Sequence, residues 1–340
     1  MGKLKEIAQV CLDKMDYFLY KKKVVLGEYP YYWCSIPVPA NYPKQSQTHP
    51  SIVYDPAKWN GKTHWLATTP YPDASVRYEN PCIYYADSGV SSEPPFDFKP
   101  IPENPIADWP GGNAYNSDPE LFFSGNRLYC IVRENENARY LSEIKLLSSK
   151  NGLNWNSPKT IYTSNEPERQ LLSPSYLLRE NEHFIYFLNG DAGIGKNGTC
   201  TGIEIIKGSN FEAPDFNHWK SGAFLNKNEA GIEPWHFDLF EYQEKLFMIF
   251  CGRDRKKKTI RNPMETYLAV SEDYIHFYIY KTPVIRHLKT YRPSAYLDEN
   301  NVLHLYFSVV GSFLNDGSDR NIAVTSIPFE SLLNLLKENE

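Results

Sequence analysis

This sequence predicts an all-β fold, a five-bladed propeller with a short N-terminal helical extension. Three observations carry that expectation. A polar residue, a proline position and a short apolar run recur five times along the chain. Each copy leads through a polar turn into a second apolar run. The copies are separated by about the length of one propeller blade.

The recurrence begins at Thr48-His49-Pro50-Ser51-Ile52-Val53-Tyr54 and returns at Ser117-Asp118-Pro119-Glu120-Leu121 and at Leu172-Ser173-Pro174-Ser175-Tyr176. Pro234-Trp235-His236-Phe237-Asp238 is a degenerate fourth copy, with His236 in the place of the proline, and Tyr291-Arg292-Pro293-Ser294-Ala295 is the fifth. The residues before the proline position stand at 49, 118, 173, 235 and 292, so the separations are 69, 55, 62 and 57 residues. Such a length holds about four strands and their loops. Short turns rich in Gly, Asn and acidic residues, such as Ser124-Gly125-Asn126 and Asp298 to Asn301, are hairpin signals between the paired runs.

A second, shorter repeat supports the same reading. Ser149-Lys150-Asn151-Gly152-Leu153-Asn154-Trp155 and Ser271-Glu272-Asp273-Tyr274-Ile275-His276-Phe277 both place a polar side chain in a turn and an aromatic a few residues on. In such turns the side chain bonds backbone amides, so these segments read as structural staples. Outside the repeats, residues 3 to 20 carry Leu4, Ile7, Val10, Cys11, Met15, Phe18 and Leu19 at helical spacing, which predicts one amphipathic helix. The chain thus divides into residues 1–47 as helix and extended lead-in, 48–328 as propeller and 329–340 as a short terminal helix. Ile322 to Ile327 would be a late closing strand.

Composition bounds the function. With 41% hydrophobic and 23% charged residues the chain is globular rather than disordered. Aromatics at 15% favour strands and sugar-binding clefts. A net charge of -5 argues against a nucleic-acid partner held by phosphate contacts. The basic run Arg253 to Lys258 reads as an exposed loop. No apolar run approaches the roughly 20 residues of a membrane helix, and no signal peptide is evident, so the expectation is a cytoplasmic protein or one associated with a virion. The six cysteines include no CxxC pair and read as buried thiols. Gly190 to Asn197 nearly matches a phosphate-binding loop, but Asn197 replaces the Ser or Thr that would meet a metal ion, and a strand-like run follows instead of a helix. It reads as a connection.

The recurring positions are the better lead to chemistry. In a propeller the innermost strands line a central channel, so His49, Asp118, Ser173, Trp235 with His236, and Arg292 converge on one end of it. Asp238, two residues after His236, shares its strand face and needs a partner if buried. Glu79, in Tyr78-Glu79-Asn80-Pro81, could reach the same rim, and Arg133 and Arg169 flank strands near it. Glycosidic cleavage fits this set, since it needs one acid to protonate the leaving oxygen and a second carboxylate as base or nucleophile. Asp118, Glu79 and Asp238 are the carboxylates available. His49 and His236 with Asp118 could also hold a metal, but the expectation is no metal and no cofactor. The structural reading of the same residues is a buried polar network that ties the blades together.

As a set, His49-Pro50, Thr69-Pro70-Tyr71-Pro72, Tyr78-Glu79-Asn80-Pro81, Ser117-Asp118-Pro119, Ser173-Pro174, Trp235-His236-x-Asp238 and Arg292-Pro293 resemble the five-bladed propellers of the glycoside hydrolase family 43, 32, 68 and 117 superfamily, in a branch found in bacteria and phages. The resemblance spans residues 48 to about 328. It implies that Asp118 corresponds to the second-blade Asp that orients the sugar. His49 stands where the family 43 base would be, and Ser173 near where its acid would be. The similar use of a His as acid in family 117 makes His236 a candidate acid. Residues and resemblance together predict a glycan-active hydrolase of a bacterial surface or plant-type polysaccharide, with Asp118, Glu79 and His236 catalytic and His49, Asp238, Arg292, Trp235, Ser173, Arg133 and Arg169 binding substrate. The alternative is a non-catalytic carbohydrate-binding propeller. Oligomeric state is not legible.

Overall fold

The computed structural model describes residues 24–87, 93–166, 170–190, 199–255, 264–310 and 320–339. The expected N-terminal helix, Arg169, Cys11, most of the phosphate-loop-like segment and half of the basic run lie outside the described residues.

Among the described residues, twenty strands form five consecutive four-stranded units, each beginning with a copy of the recurring motif. The first is β2 (Gln47–Tyr54), β3 (His64–Pro70), β4 (Cys82–Ala86) and β5 (Lys99–Pro100). The second is β6 (Ala114–Ser124), β7 (Arg127–Glu136), β8 (Leu141–Ser149) and β9 (Lys159–Ser164). The third is β10 (Leu172–Arg179), β11 (Glu182–Gly190), β12 (Cys200–Gly208) and β13 (Asn217–Phe224), and the fourth is β14 (Ile232–Tyr242), β15 (Lys245–Asp254), β16 (Met264–Ser271) and β17 (His276–Ile279). The fifth holds β18 (Thr290–Leu297), β19 (Val302–Val310) and β20 (Arg320–Pro328), completed by β1 (Tyr31–Trp33), which pairs antiparallel with β20.

Two features depart from five separate blades closed by a late C-terminal strand. The third and fourth units join into one eight-stranded sheet, because the outer strands β13 and β17 pair in parallel at Ala223 with His276 and Phe224 with Phe277. The lead-in segment, expected to be merely extended, supplies β1. The last sheet therefore takes its fourth strand from the other end of the described chain, tying the two ends together.

Two-residue hairpin loops set much of the register. Glu180-Asn181 and Gln243-Glu244 both hold two consecutive residues at positive φ, the backbone twist that matches paired strands. The staples form as expected. Asn151 Oδ1 accepts from the amides of Leu153 and Asn154, and Asp273 Oδ1 from those of Ile275 and His276. At Gly152 the backbone sits at φ +75°, and an added Cβ would lie 2.1 Å from the Trp65 ring, so only glycine fits beneath that indole.

The core is divided among the gaps between neighbouring units. Trp65, Leu121, Leu128 and Leu147 fill the first gap, and Phe122, Ile144, Ile185 and Phe216 the next. Tyr186, Phe237, Met248 and Tyr267 follow, then Phe240, Ile249, Leu305 and Phe307, and finally Leu66, Tyr84, Tyr306 and Val324 close the circle between fifth and first. Strands such as β15 are apolar on both faces because each sheet has a neighbour on either side. The C-terminal helix (Phe329–Glu338) packs Phe329, Leu332, Leu333 and Leu336 on the fourth and fifth units. Among the described residues no helix is long and apolar enough to cross a membrane, and Cys34, Cys82, Cys130, Cys200 and Cys251 are free thiols.

Candidate functional site

The innermost strands β2, β6, β10, β14 and β18 pack against one another in a ring. Each breaks register at the same height, between Thr48 and Ser51, Ser117 and Glu120, Leu172 and Ser175, Pro234 and His236, and Thr290 and Pro293. A bulge re-aims the side chains it displaces. At His49, Asp118 and Ser173 it does so through left-handed backbone, with φ of 52°, 52° and 50° in residues that each precede a proline. Non-glycine residues are held in that region at a cost of roughly 1–3 kcal/mol each, a strain that concentrates at functional sites.

The bulges deliver a compact buried cluster. His49 Nδ1 lies 2.8 Å from Thr69 Oγ1 and 3.1 Å from Glu79 Oε1, while its Nε2 lies 3.6 Å from Asp118 Oδ1. His236 Nδ1 contacts Ser173 Oγ and lies 3.3 Å from Asp118 Oδ1. Arg133 Nε sits 3.1 Å from Asp118 Oδ2, which also accepts from the Ser173 amide at 3.3 Å. Ser117 Oγ donates to Glu79 Oε1 at 2.9 Å. One ligand-type atom from each of His49, Asp118 and His236 lies within 4.8 Å of the other two. Yet His49 Nε2, His236 Nε2 and Asp118 Oδ1 are all buried without a hydrogen-bond partner.

Of the three, His49 Nε2 and Asp118 Oδ1 lie 3.6 Å apart, and buried polar atoms left without a partner are costly. Two neutral imidazoles and a carboxylate are a donor set for a divalent transition metal. The outer contacts agree, since a metal-ligating His has its second ring nitrogen fixed by a carboxylate or hydroxyl, and here Glu79 with Thr69, and Ser173, occupy Nδ1 of the two rings. The residues present therefore fit a divalent cation.

Electrostatics supports those protonation states. Burial drives His236 down to about 3 and His49 well below its usual value, the Asp118 charge opposing in both, so the rings stay neutral. For Asp118, burial raises the carboxyl, but His236, Arg133, His49 and Arg292 together outweigh it and hold the group well below the ordinary carboxylate range. Glu79 goes the other way. Burial, then the Asp118 charge, push it up to about 8.

Above the cluster is a cavity of about 160 Å³ lined by His49, Glu79, Arg133, Trp235, His236 and Tyr291, with Tyr71, Tyr115, Gln170 and Arg320 around them. Tyr291 packs at a tilt against both imidazoles, with ring centroids 4.5 Å from His236 and 5.2 Å from His49, and Trp235 meets His236 edge-on at 5.2 Å. A larger groove of about 490 Å³ runs past Asp108, Glu134, Lys145 and Trp155, but its Glu134 and Lys145 pair with each other. The chemistry lies in the smaller cavity.

The structure thus brings together Asp118, Glu79, His236, His49, Trp235, Ser173 and Arg133. It does not bring Asp238 or Arg292 into the cavity wall. Arg292 is fully buried, donating to the carbonyls of Pro119 and Pro174 and to Glu120 Oε2. Asp238 accepts from Ser175, Ser294 and the amides of Leu239 and Ala295. Both belong to a network that joins the inner strands beneath the site. The correction has a geometric reason. The fifth bulge spans Tyr291 and Arg292 without a left-handed residue, so Tyr291 takes the cavity position and Arg292 turns inward. Sequence reasoning missed Thr69, Tyr291 and Arg320. Thr69-Pro70-Tyr71 and Tyr291 abut quoted motifs, whereas Arg320 follows a Gly- and Asp-containing segment with no periodic signal.

No protein-family profile matches the chain, and no curated protein matches its sequence. Solved structures do. An N-acetylgalactosamine deacetylase from F. plautii, in complex with blood group B trisaccharide, superposes with a TM-score of 0.71 at 16% identity, over 88% of this chain and 94% of that one. The GH43_1 enzyme from Xanthomonas citri gives 0.56 at 11% identity, over 83% and 87%. Sucrose-6-phosphate hydrolase from Lactobacillus gasseri gives 0.58 at 14% identity, over 82% and 58%. These likenesses define the fold as the all-β propeller that such carbohydrate-active enzymes share.

Proposed function

We propose that this chain is a glycan-active hydrolase on a five-bladed propeller, that His49, Asp118 and His236 hold a divalent cation, and that it removes an acyl group from a sugar. The observation that carries this is the buried His49–Asp118–His236 set, whose ligand-type atoms lie within 4.8 Å of one another and which leaves one polar atom of each residue without a hydrogen-bond partner. When bound, such a cation polarises a carbonyl and lowers the pKa of water. In the reaction the C–N bond of an N-acyl group, or the C–O bond of an O-acyl group, breaks. The acyl carbon gains the water oxygen and leaves as a carboxylate, and the sugar amine or hydroxyl takes a proton.

The chain's own residues have separate roles. Thr69, Glu79 and Ser173 fix the imidazoles. Arg133 keeps Asp118 ionised and aimed. Among the described residues, Glu79 is the one carboxyl in the cavity wall placed to move a proton between water and the leaving atom. Tyr71, Tyr115, Trp235 and Tyr291 offer ring faces to a sugar. The cavity is smaller than the roughly 300–1,000 Å³ of drug-sized pockets, which suits one sugar unit at a chain end.

Acyl transfer fits better than glycosidic cleavage because the latter needs two available carboxylates. Asp118 is committed to Arg133 and the histidines, and Asp238 lies outside the cavity. The deacetylase from F. plautii among the fold relatives adds support. The test is acetate release from a panel of acetylated amino sugars and O-acetylated polysaccharides, before and after chelation and with Zn²⁺, Mn²⁺ or Co²⁺ restored. Chelation should abolish release and metal restore it. Full activity after chelation, reducing ends released in place of acetate, or saturable glycan binding with no turnover would each overturn the proposal.

A further inference from the structure

Arg320, at the start of β20, lines the cavity and forms no ion pair among the described residues. Its backbone amide donates to Ser46 Oγ at 3.1 Å, and Ser46 Oγ donates to the Tyr71 carbonyl at 3.1 Å, so the stem of the residue is pinned beside Tyr71. The guanidinium carbon lies 4.1 Å from the Tyr71 ring centroid and 5.5 Å from that of Tyr291. Two aromatic rings thus hold a planar cation in place. Nε and Nη1 are buried and make no hydrogen bond, and no carboxylate among the described residues lies within ion-pair reach. The other guanidinium of the cavity, Arg133, is matched by Asp118.

A half-buried guanidinium held between two rings, with no ion pair among the described residues, suits an anionic oxygen group, whose charge-assisted bonds are the strong ones. It faces the same cavity as the His49–Asp118–His236 cluster, with Tyr291 touching both. We infer that the sugar taken by this cavity is acidic, and that Arg320 is the specificity-determining residue that binds its carboxylate or sulfate. The planar fork suits a carboxylate best, in the two-pronged geometry that guanidinium and carboxylate share. The inference rests on the cavity being the glycan site proposed above, but not on the reaction carried out there.

The experiment reads binding without turnover. Metal-free protein, prepared by chelation so that no cation can hold the acid, is titrated with glucuronate against glucose, galacturonate against galactose, and glucose 6-sulfate, by calorimetry or ligand-observed NMR. Wild type should bind the acids about ten- to a hundred-fold more tightly than their neutral partners, and the preference should shrink as salt is raised. R320Q should bring the ratio close to one, and R320K should keep part of it, because charge remains but the fork does not. The uronate and sulfate arms separate the two kinds of acid. Equal binding of acidic and neutral sugars by wild type, undetectable binding of every acidic ligand, or a preference that survives R320Q would overturn the inference. If R320Q does not fold, wild type alone decides, since a missing or salt-insensitive preference is equally fatal. A negative result here leaves metal-dependent acyl release untouched, and loss of that release leaves the acid preference standing.

Discussion

Asp118→Asn separates the structural from the functional work of one carboxylate. Asp118 is fully buried and ionised, with Arg133 Nε at 3.1 Å and both imidazoles beside it. Asn keeps the shape and can still accept from the Ser173 amide. It removes the charge, and Arg133, only 5% exposed, then has no counterion. Breaking one partner out of a buried pair costs roughly 3–5 kcal/mol, which the metal-free protein should show as a clear loss in denaturant midpoint. The second part of the effect appears on adding metal. Saturating a site to about a thousand times Kd stabilises a fold by about 4 kcal/mol, and wild type should gain an increment of that order. D118N should gain little of it, having lost one ligand of three. The assay is chemical denaturation of both proteins, chelated and with Zn²⁺ or Mn²⁺, with R133M added to D118N as a control. The double variant should recover metal-free stability, because no unpaired charge remains, yet still fail to respond to metal. A full metal increment in D118N, or a chelated D118N as stable as chelated wild type, would refute the reasoning.

Other expectations follow from single contacts. Glu79→Gln keeps acceptor capacity toward Ser117 and His49 but cannot move a proton, so kcat for acyl release should fall about 10²–10⁴-fold while metal uptake by calorimetry stays; an unchanged kcat would remove Glu79 from the chemistry. Gly152→Ala places a methyl 2.1 Å from the Trp65 ring at φ +75°; overpacking of this kind costs roughly 1–3 kcal/mol, and a urea midpoint equal to wild type would contradict the staple. His64, buried beside Thr63 and Tyr296, is lowered to about 3, by burial first and then by His304. Between pH 6.5 and 3 the unfolded chain therefore binds a proton that the fold refuses, and stability falls as pH falls, by up to about 1.4 kcal/mol per pH unit. H64Q should flatten that acid limb in thermal scans, and an unaltered slope would show that His64 does not carry it.

How much of this was legible in the sequence depends on what each residue obeys. The strand starts were readable because a bulge before a proline repeats in sequence as it repeats in space. The hairpins were readable because two-residue turns draw on few residue types. The closing strand was not, since Tyr31-Tyr32-Trp33 is three residues long and pairs with β20 nearly three hundred positions away. Nor was the merging of the third and fourth units, which rests on the two-residue parallel contact of β13 with β17.

In the site, period and motif gave which face a residue occupies but not its depth along the channel. That is why His49, Asp118 and His236 meet at the cavity floor while Asp238 and Arg292, from the same motif copies, bond the inner strands below it. Glu79 was found through its aromatic neighbours. Arg320 was not found, because its place is fixed by Ser46 and Tyr71, which lie far from it in sequence. The closeness of the His49, Asp118 and His236 ligand atoms, on which the proposed cation rests, exists only in three dimensions.

If the His49–Asp118–His236 cluster binds a divalent cation and acts with it on an acylated sugar, calorimetric titration of chelated protein with Zn²⁺ and Mn²⁺, with acetate release followed on the same samples, should show both together. One ion should bind per chain, acetate release should rise in proportion to occupancy, and neither event should occur in a His49→Ala, His236→Ala double variant that remains folded. Turnover with no ion bound, or stoichiometric binding undiminished in that double variant, would contradict that reading.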